Sequence, residues 1–217
     1  MKKIVLFVLL SQGVLSAYAQ TSFGILAGLS NATRRSSDKE TSSSLKSYLL
    51  WHAGVAANLR LADRFYIQPQ LLASAKGYRF EAHDLDDSQY SYSDLRGTER
   101  LLYLELPVNL LYKHPLGPRK LIAGGGPFIA YGLGGKGKAD IKYRHLDQPI
   151  HQETTVKFEN KTRLNTSDIG SYRYYKPLDA GLNFIAGNEL NNGLCLNMNY
   201  SLGLTDISPS TGTYPDG

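Results

Sequence analysis

The sequence predicts an all-β chain, an up-and-down antiparallel β-barrel that crosses a membrane, and three observations carry that prediction. Seven segments alternate apolar and mixed residues with a period of two, the repeat that sends successive side chains to opposite faces of a strand. The connections between them are short and long in strict turn, as in barrels with tight turns at one rim and large loops at the other. An export segment precedes them. The 217 residues, with 21 glycines and 15 tyrosines, suit one domain rich in strands and turns.

The first nineteen residues read as a signal peptide. Lys2 and Lys3 supply the positive start, residues 4–10 are apolar, and Ala17-Tyr18-Ala19 gives the small-x-small cleavage pattern. Residues 20–217 then form the barrel domain. The apolar stretch is far short of the ~20 residues that a membrane helix needs. Later in the chain the best candidate helix, residues 121–135, is broken by Pro127 and several glycines. Helical crossing is excluded; crossing by strands is not.

Each alternating segment has one nearly uniform apolar face. It begins with Phe23, Ile25, Ala27 and Leu29, then Trp51, Ala53, Val55, Ala57 and Leu59, then Phe65, Ile67, Pro69 and Leu71. Leu102 through Tyr112 in steps of two form the fourth, and Leu121, Ala123, Pro127, Ile129 and Tyr131 the fifth. The sixth and seventh run Leu178, Ala180, Leu182, Phe184 and Leu194, Leu196, Met198, Tyr200, Leu202. Trp51, Ile67, Leu104, Leu106, Phe184, Leu196, Met198 and Leu202 are the expected lipid-facing set.

The opposite face mixes charges, amides and small residues. It supplies an expected interior polar network of His52, Arg60, Gln70, Lys76, Glu105, Asn109, Lys113, Asp179 and Glu189. Charges inside a narrow barrel must pair. Depth matching predicts Asp179 with Lys76, and Glu189 with Arg60 or Lys113. A soluble ligand-binding barrel would also alternate, with its apolar face turned inward. Loop lengths favour the membrane: residues 62–64, 114–119 and 191–193 are short connections. Residues 31–47, 77–100 and 134–176 are expected long extracellular loops. Residues 139–145 and 154–160 read as a hairpin projecting above the membrane. Seven strands is an odd number, and residues 213–217 read as loop, so the closing strand is expected to be missing.

The ordered strings resemble the PorT-like outer-membrane β-barrel family. They are Phe23-Gly24-Ile25-Leu26-Ala27-Gly28-Leu29-Ser30, Trp51-His52-Ala53-Gly54, Gln68-Pro69-Gln70-Leu71-Leu72, Tyr103-Leu104-Glu105-Leu106-Pro107, Ala123-Gly124-Gly125-Gly126-Pro127, Asp179-Ala180-Gly181-Leu182 and Tyr200-Ser201-Leu202-Gly203-Leu204-Thr205-Asp206-Ile207. The resemblance implies an eight-stranded barrel with both ends in the periplasm. Gln70 stands where that family usually has a glutamate. Most members have no assigned activity, and one is linked to assembly of a secretion system.

No catalytic, cofactor or metal constellation is expected. Gly132-Leu133-Gly134-Gly135-Lys136-Gly137-Lys138 imitates a phosphate loop, but Ala139 replaces the required Ser or Thr and no helix follows. The five histidines lack metal spacing; His145 and His151 share one loop. Cys195, the single cysteine, reads as a small inward residue. The net charge of +5 does not argue for nucleic acid, and no nucleotide is expected. Residues 77–100 hold three basic against six acidic residues, and residues 134–176 nine against five. These loops are expected to pair with each other or to meet surface polysaccharide or another envelope protein. Tyr90, Tyr92, Tyr172, Tyr174 and Tyr175 would mark a binding surface or an interfacial girdle. The expected role is structural or interaction-mediating in the outer membrane, without catalysis. A small channel or secretion-associated component, a soluble ligand-binding barrel and a membrane-embedded hydrolase are the alternatives.

Overall fold

The period-two segments become long, paired strands in the computed structural model, which describes residues 21–32, 44–87, 90–143, 148–160 and 171–208. The expected signal peptide, His145 and residues 213–217 lie outside the described residues, as do the side chains of Tyr90 and Tyr92. Ten strands follow in order: β1 (Thr21–Ala32), β2 (Ser44–Lys46), β3 (Tyr48–Arg60), β4 (Phe65–Asp87), β5 (Tyr90–Leu116), β6 (Arg119–Tyr143), β7 (Ile150–Phe158), β8 (Tyr172–Tyr175), β9 (Leu178–Leu190) and β10 (Cys195–Gly203).

Seven of them form the wall, paired β1-β3-β4-β5-β6-β9-β10 and antiparallel throughout. The sheet is not closed among the described residues: β1 and β10 each have one unpaired edge. Alternation of direction over seven strands leaves β1 and β10 pointing the same way. A direct seam between them would be parallel, whereas one further strand would complete an antiparallel ring.

A strand crosses the hydrocarbon layer in about 9–11 residues. β4, β5 and β6 have 23, 27 and 25, roughly twice that length, so they rise well beyond it. β6 accordingly has two partners. Its first half pairs with β9 from Arg119 to Tyr131, and its second half pairs with β7 from Gly135 to Ile141. β8 lies parallel to β7, and β2 caps the upper part of β4.

This extension corrects the expected loops. Residues 77–87 and 90–100 are a continuation of the wall, paired from Gly77↔Arg100 to Asp87↔Tyr90. The fifth segment does not stop at Leu133 but runs to Tyr143, with a register shift between Leu102 and Tyr103 where Leu133 bulges out. The projecting hairpin exists with a different register, residues 135–141 against 150–156. Alternation continues through both stretches, but polar residues occupy both faces there, which hides the strand pattern from a hydropathy reading.

The apolar face is turned out. Ile25 is 89% exposed and Met198 82% exposed, while the alternate residues Asn109, Glu105 and Asn183 are buried. That arrangement is the inverse of a soluble barrel. The short turns follow from glycine: Gly117 has φ 57° between the paired Leu116 and Arg119. With Pro118 fixing a negative φ next, the hairpin takes a type II′ turn. Between β9 and β10 the turn is longer: Gly193, φ 83°, follows Asn191 and Asn192 and donates its N–H to the Leu190 carbonyl at 2.9 Å.

Gly126 serves a different purpose, since a Cβ built there would lie 1.9 Å from the Val108 carbonyl oxygen. β5 and β6 approach each other closely at this point. Gly126→Ala is expected to cost roughly 1–3 kcal/mol by forcing the strands apart. Gly24→Ala, with nothing within 4 Å, should be neutral. Urea unfolding in micelles, followed by heat-modifiable gel migration, measures both.

Candidate functional site

The inward face of the wall carries a stack of polar tiers. At the rim with the short turns, the Glu189 carboxylate accepts from Lys113 Nζ at 2.7 Å and Lys120 Nζ at 2.6 Å. The Lys113 ammonium also sits 4.6 Å from the centre of the Tyr66 ring. Leu111, Ile122 and Ile185, with Tyr66 against them, form an apolar collar at the same end.

Amides fill the middle. Gln70 Nε2 donates to Gln68 Oε1 at 2.7 Å, and Gln68 Nε2 donates to Asn58 Oδ1 at 2.8 Å. Across the barrel, Asn183 Nδ2 donates to Asn109 Oδ1 and Ser201 Oγ donates to Asn183 Oδ1, both at 3.2 Å. Asn109 is 0% exposed. Buried amides retain their value only when partnered; the first chain links the neighbouring strands β3 and β4, and the second reaches from β10 through β9 to β5, passing over β6. His52 lies over its cross-strand partner Gly28, where a Cβ would meet Nε2 at 2.6 Å. Only glycine leaves room for the ring.

Lys76 is the hub of the third tier. Its ammonium lies 2.7 Å from Glu105 Oε1 and 3.1 Å from Asp179 Oδ2. The rings of Phe128 and Tyr103 approach it at 4.9 and 5.1 Å, a cation–π cage in a desolvated setting. Asp179 accepts a further hydrogen bond from Thr205 Oγ1 at 2.7 Å.

Above this tier, Glu99 is 2% exposed and accepts from Arg173 Nη1 at 2.6 Å and from the Tyr78 hydroxyl at 3.4 Å. Leu101, Tyr103, Phe128, Ala130, Val156 and Tyr175 pack beside them, with Phe158 and Ile207 against that cluster. The interior and the slot between β1 and β10 together enclose about 1940 Å³.

The expected Asp179–Lys76 and Glu189–Lys113 contacts are present at these distances. Arg60 is different. Its guanidinium turns to Asp63 Oδ1 at 2.9 Å, because that carboxylate lies three residues away in the β3–β4 turn, nearer than Glu189 across the barrel. Of the expected outward set, Trp51, Leu104, Leu106, Phe184, Leu196, Met198 and Leu202 are exposed, while Ile67 is half-buried. Cys195 is exposed and free, and lines the open slot. Tyr175 is buried inside, whereas Tyr172 and Tyr174 are partly exposed.

Sequence reading missed Glu99, Arg173, Lys120 and Thr205. Glu99 shares the inward parity of Tyr103 and Glu105 on β5, so carrying the alternation past Arg100 would have found it. Arg173 comes from a stretch read as loop, and only the β7–β8 pairing brings it over Glu99. Among the described residues no cluster of His, Cys, Asp or Glu could hold a metal, and no helix is long and apolar enough to cross a membrane.

A family model described as "Outer membrane protein beta-barrel domain" matches residues 17–208. The chain belongs to this outer-membrane β-barrel family. No curated protein and no solved structure shows a significant match to it. Membership explains the apolar outer face: the barrel is an integral outer-membrane protein, and lipid replaces water around its waist. Within the lipid-covered waist, the inner tiers are where the charges of the wall can be satisfied.

Replacing Lys76 alone should leave Glu105 and Asp179 facing each other without a cation. Lys76→Met is expected to destabilise the outer-membrane barrel by about 3–5 kcal/mol. Adding Glu105→Gln and Asp179→Asn should recover most of that loss. Denaturant unfolding in micelles checks the series.

Proposed function

We propose that this outer-membrane barrel is a non-catalytic structural or interaction-mediating protein of the PorT-like group, exported by a signal peptide cleaved after Ala19. The observation that carries the reading is the self-neutralised interior. Lys76 is held by two carboxylates and two rings, and Glu189 by two lysines. A general acid, base or nucleophile needs a group poised to react and reachable by substrate, and these charges are spent on one another.

The recognition surface in this reading is the part of β4–β8 that rises beyond the lipid. It is a rigid sheet rather than a set of loops, and it holds its partners by side chains fixed on strands. The partner is another envelope protein or surface polysaccharide at the rim opposite the short turns.

A second reading, a small pore, draws on the enclosed space of about 1940 Å³. Planar-bilayer recording separates the two. The structural reading expects insertion of the full chain to leave the bilayer electrically silent. Discrete conductance steps that depend on the protein would favour the pore.

A further inference from the structure

We propose that the outward face of β5, β6 and β7, at the upper edge of the apolar waist, is a binding site for the phosphate headgroup of an anionic membrane lipid, centred on Arg100 and Lys136. This rests on the membrane-spanning reading of the barrel. Arg100 and Lys136 are direct cross-strand partners, both exposed. Side chains so placed have Cβ atoms about 4.5–5.5 Å apart, and like charges there repel. The row they share reads Gly77, Arg100, Lys136, Thr155 and Tyr172, with no acid in it.

The nearby outward carboxylates are taken. Glu153 is bound by Lys138 at 2.8 Å, which holds its carboxyl below the usual range. Asp94 is bound by Arg96 at 3.0 Å, Asp140 by His151 and Glu81 by Lys46. Arg100 and Lys136 form no ion pair within 4.0 Å among the described residues, and Lys136 adds only a minor pull on the Glu153 carboxylate that Lys138 already holds. Two adjacent cations without an ion pair of their own, beside four described acids that are already paired, match an anion supplied from outside.

Their height says which anion. On β5 the residues below Arg100 on the same face are Leu102 and Leu104. On β6 those below Lys136, across the bulge, are Leu133 and Tyr131, both exposed. The cations therefore stand at the boundary where apolar surface ends, the level of lipid phosphates. Gly77, the partner of Arg100 on β4, carries no side chain to compete for the guanidinium. Thr155 offers a hydroxyl on the other side of Lys136, and Arg79 stands one row higher. Arginine suits a phosphate because its planar fork donates two parallel hydrogen bonds.

The test uses full-length protein in phosphatidylcholine nanodiscs doped with a diphosphorylated glucosamine lipid, and measures lipid retained after extraction by native mass spectrometry. Wild type should retain the anionic lipid over phosphatidylcholine, and R100Q/K136Q should reduce retention by about thirtyfold. R100K/K136R should keep most of it, and R64Q/R119Q, which removes the same charge from the opposite rim, should change little. Unchanged heat-modifiable migration in R100Q/K136Q shows that the variant folds. Equal retention by wild type and R100Q/K136Q overturns the site, as does an equal loss in R64Q/R119Q. Inorganic phosphate that displaces the lipid at equal concentration makes it a free-anion site and also overturns the proposal. Failure of the wild-type chain to enter nanodiscs would instead count against the membrane-spanning reading.

Discussion

Lipid offers no hydrogen-bond partners, so each backbone amide inside the bilayer must be satisfied by a neighbouring strand. The rest of the molecule answers to that constraint. It makes the wall one continuous ladder from β1 to β10, and it explains why glycine appears where strands must press close, as at Gly126 against Val108. Among the described residues β1 and β10 each leave one edge unpaired, and because they point the same way an antiparallel strand between them would close the ring.

With the apolar face committed to lipid, the polar side chains of the waist are confined to a narrow interior. The chain resolves this by matching charge to charge at fixed depth. Lys76 serves Glu105 and Asp179 together, and Glu189 serves Lys113 and Lys120 together. The amide chains between those tiers carry no net charge, so they separate the two ionic centres without needing counter-ions. A buried ion pair contributes less to net stability than its short distances suggest. Its value here is that a wrong register would strand a charge, which penalises every alternative pairing of the strands.

The waist was legible from sequence because two alphabets alternate there. Trp51, Leu104 and Leu196 on one face and Glu105, Asn109 and Asp179 on the other leave little choice of strand or orientation. The Lys76–Asp179 pairing was legible for the same reason, since equal depth on inward faces limits the partners. Above the waist the alphabets merge. Residues such as Arg96, Thr98, Glu99 and Arg100 are polar on both faces, so a strand that continues into water looks like a loop. Depth alone left Glu189 two candidate cations, Arg60 and Lys113; Lys113 is the one it meets, because a local turn partner, Asp63, takes Arg60. The Glu99–Arg173 contact depends on β7 and β8 folding back beside β6, a tertiary event that period-two reading does not register.

The account stands on the apolar face touching lipid. Trp51 is the only tryptophan and lies on that face, 41% exposed, so its fluorescence reports on the claim directly. In bilayers of phosphatidylcholine brominated along the acyl chains, its emission should be strongly quenched relative to unbrominated lipid. Aqueous acrylamide should quench it weakly. Emission indifferent to bromine and readily quenched by acrylamide would contradict the account.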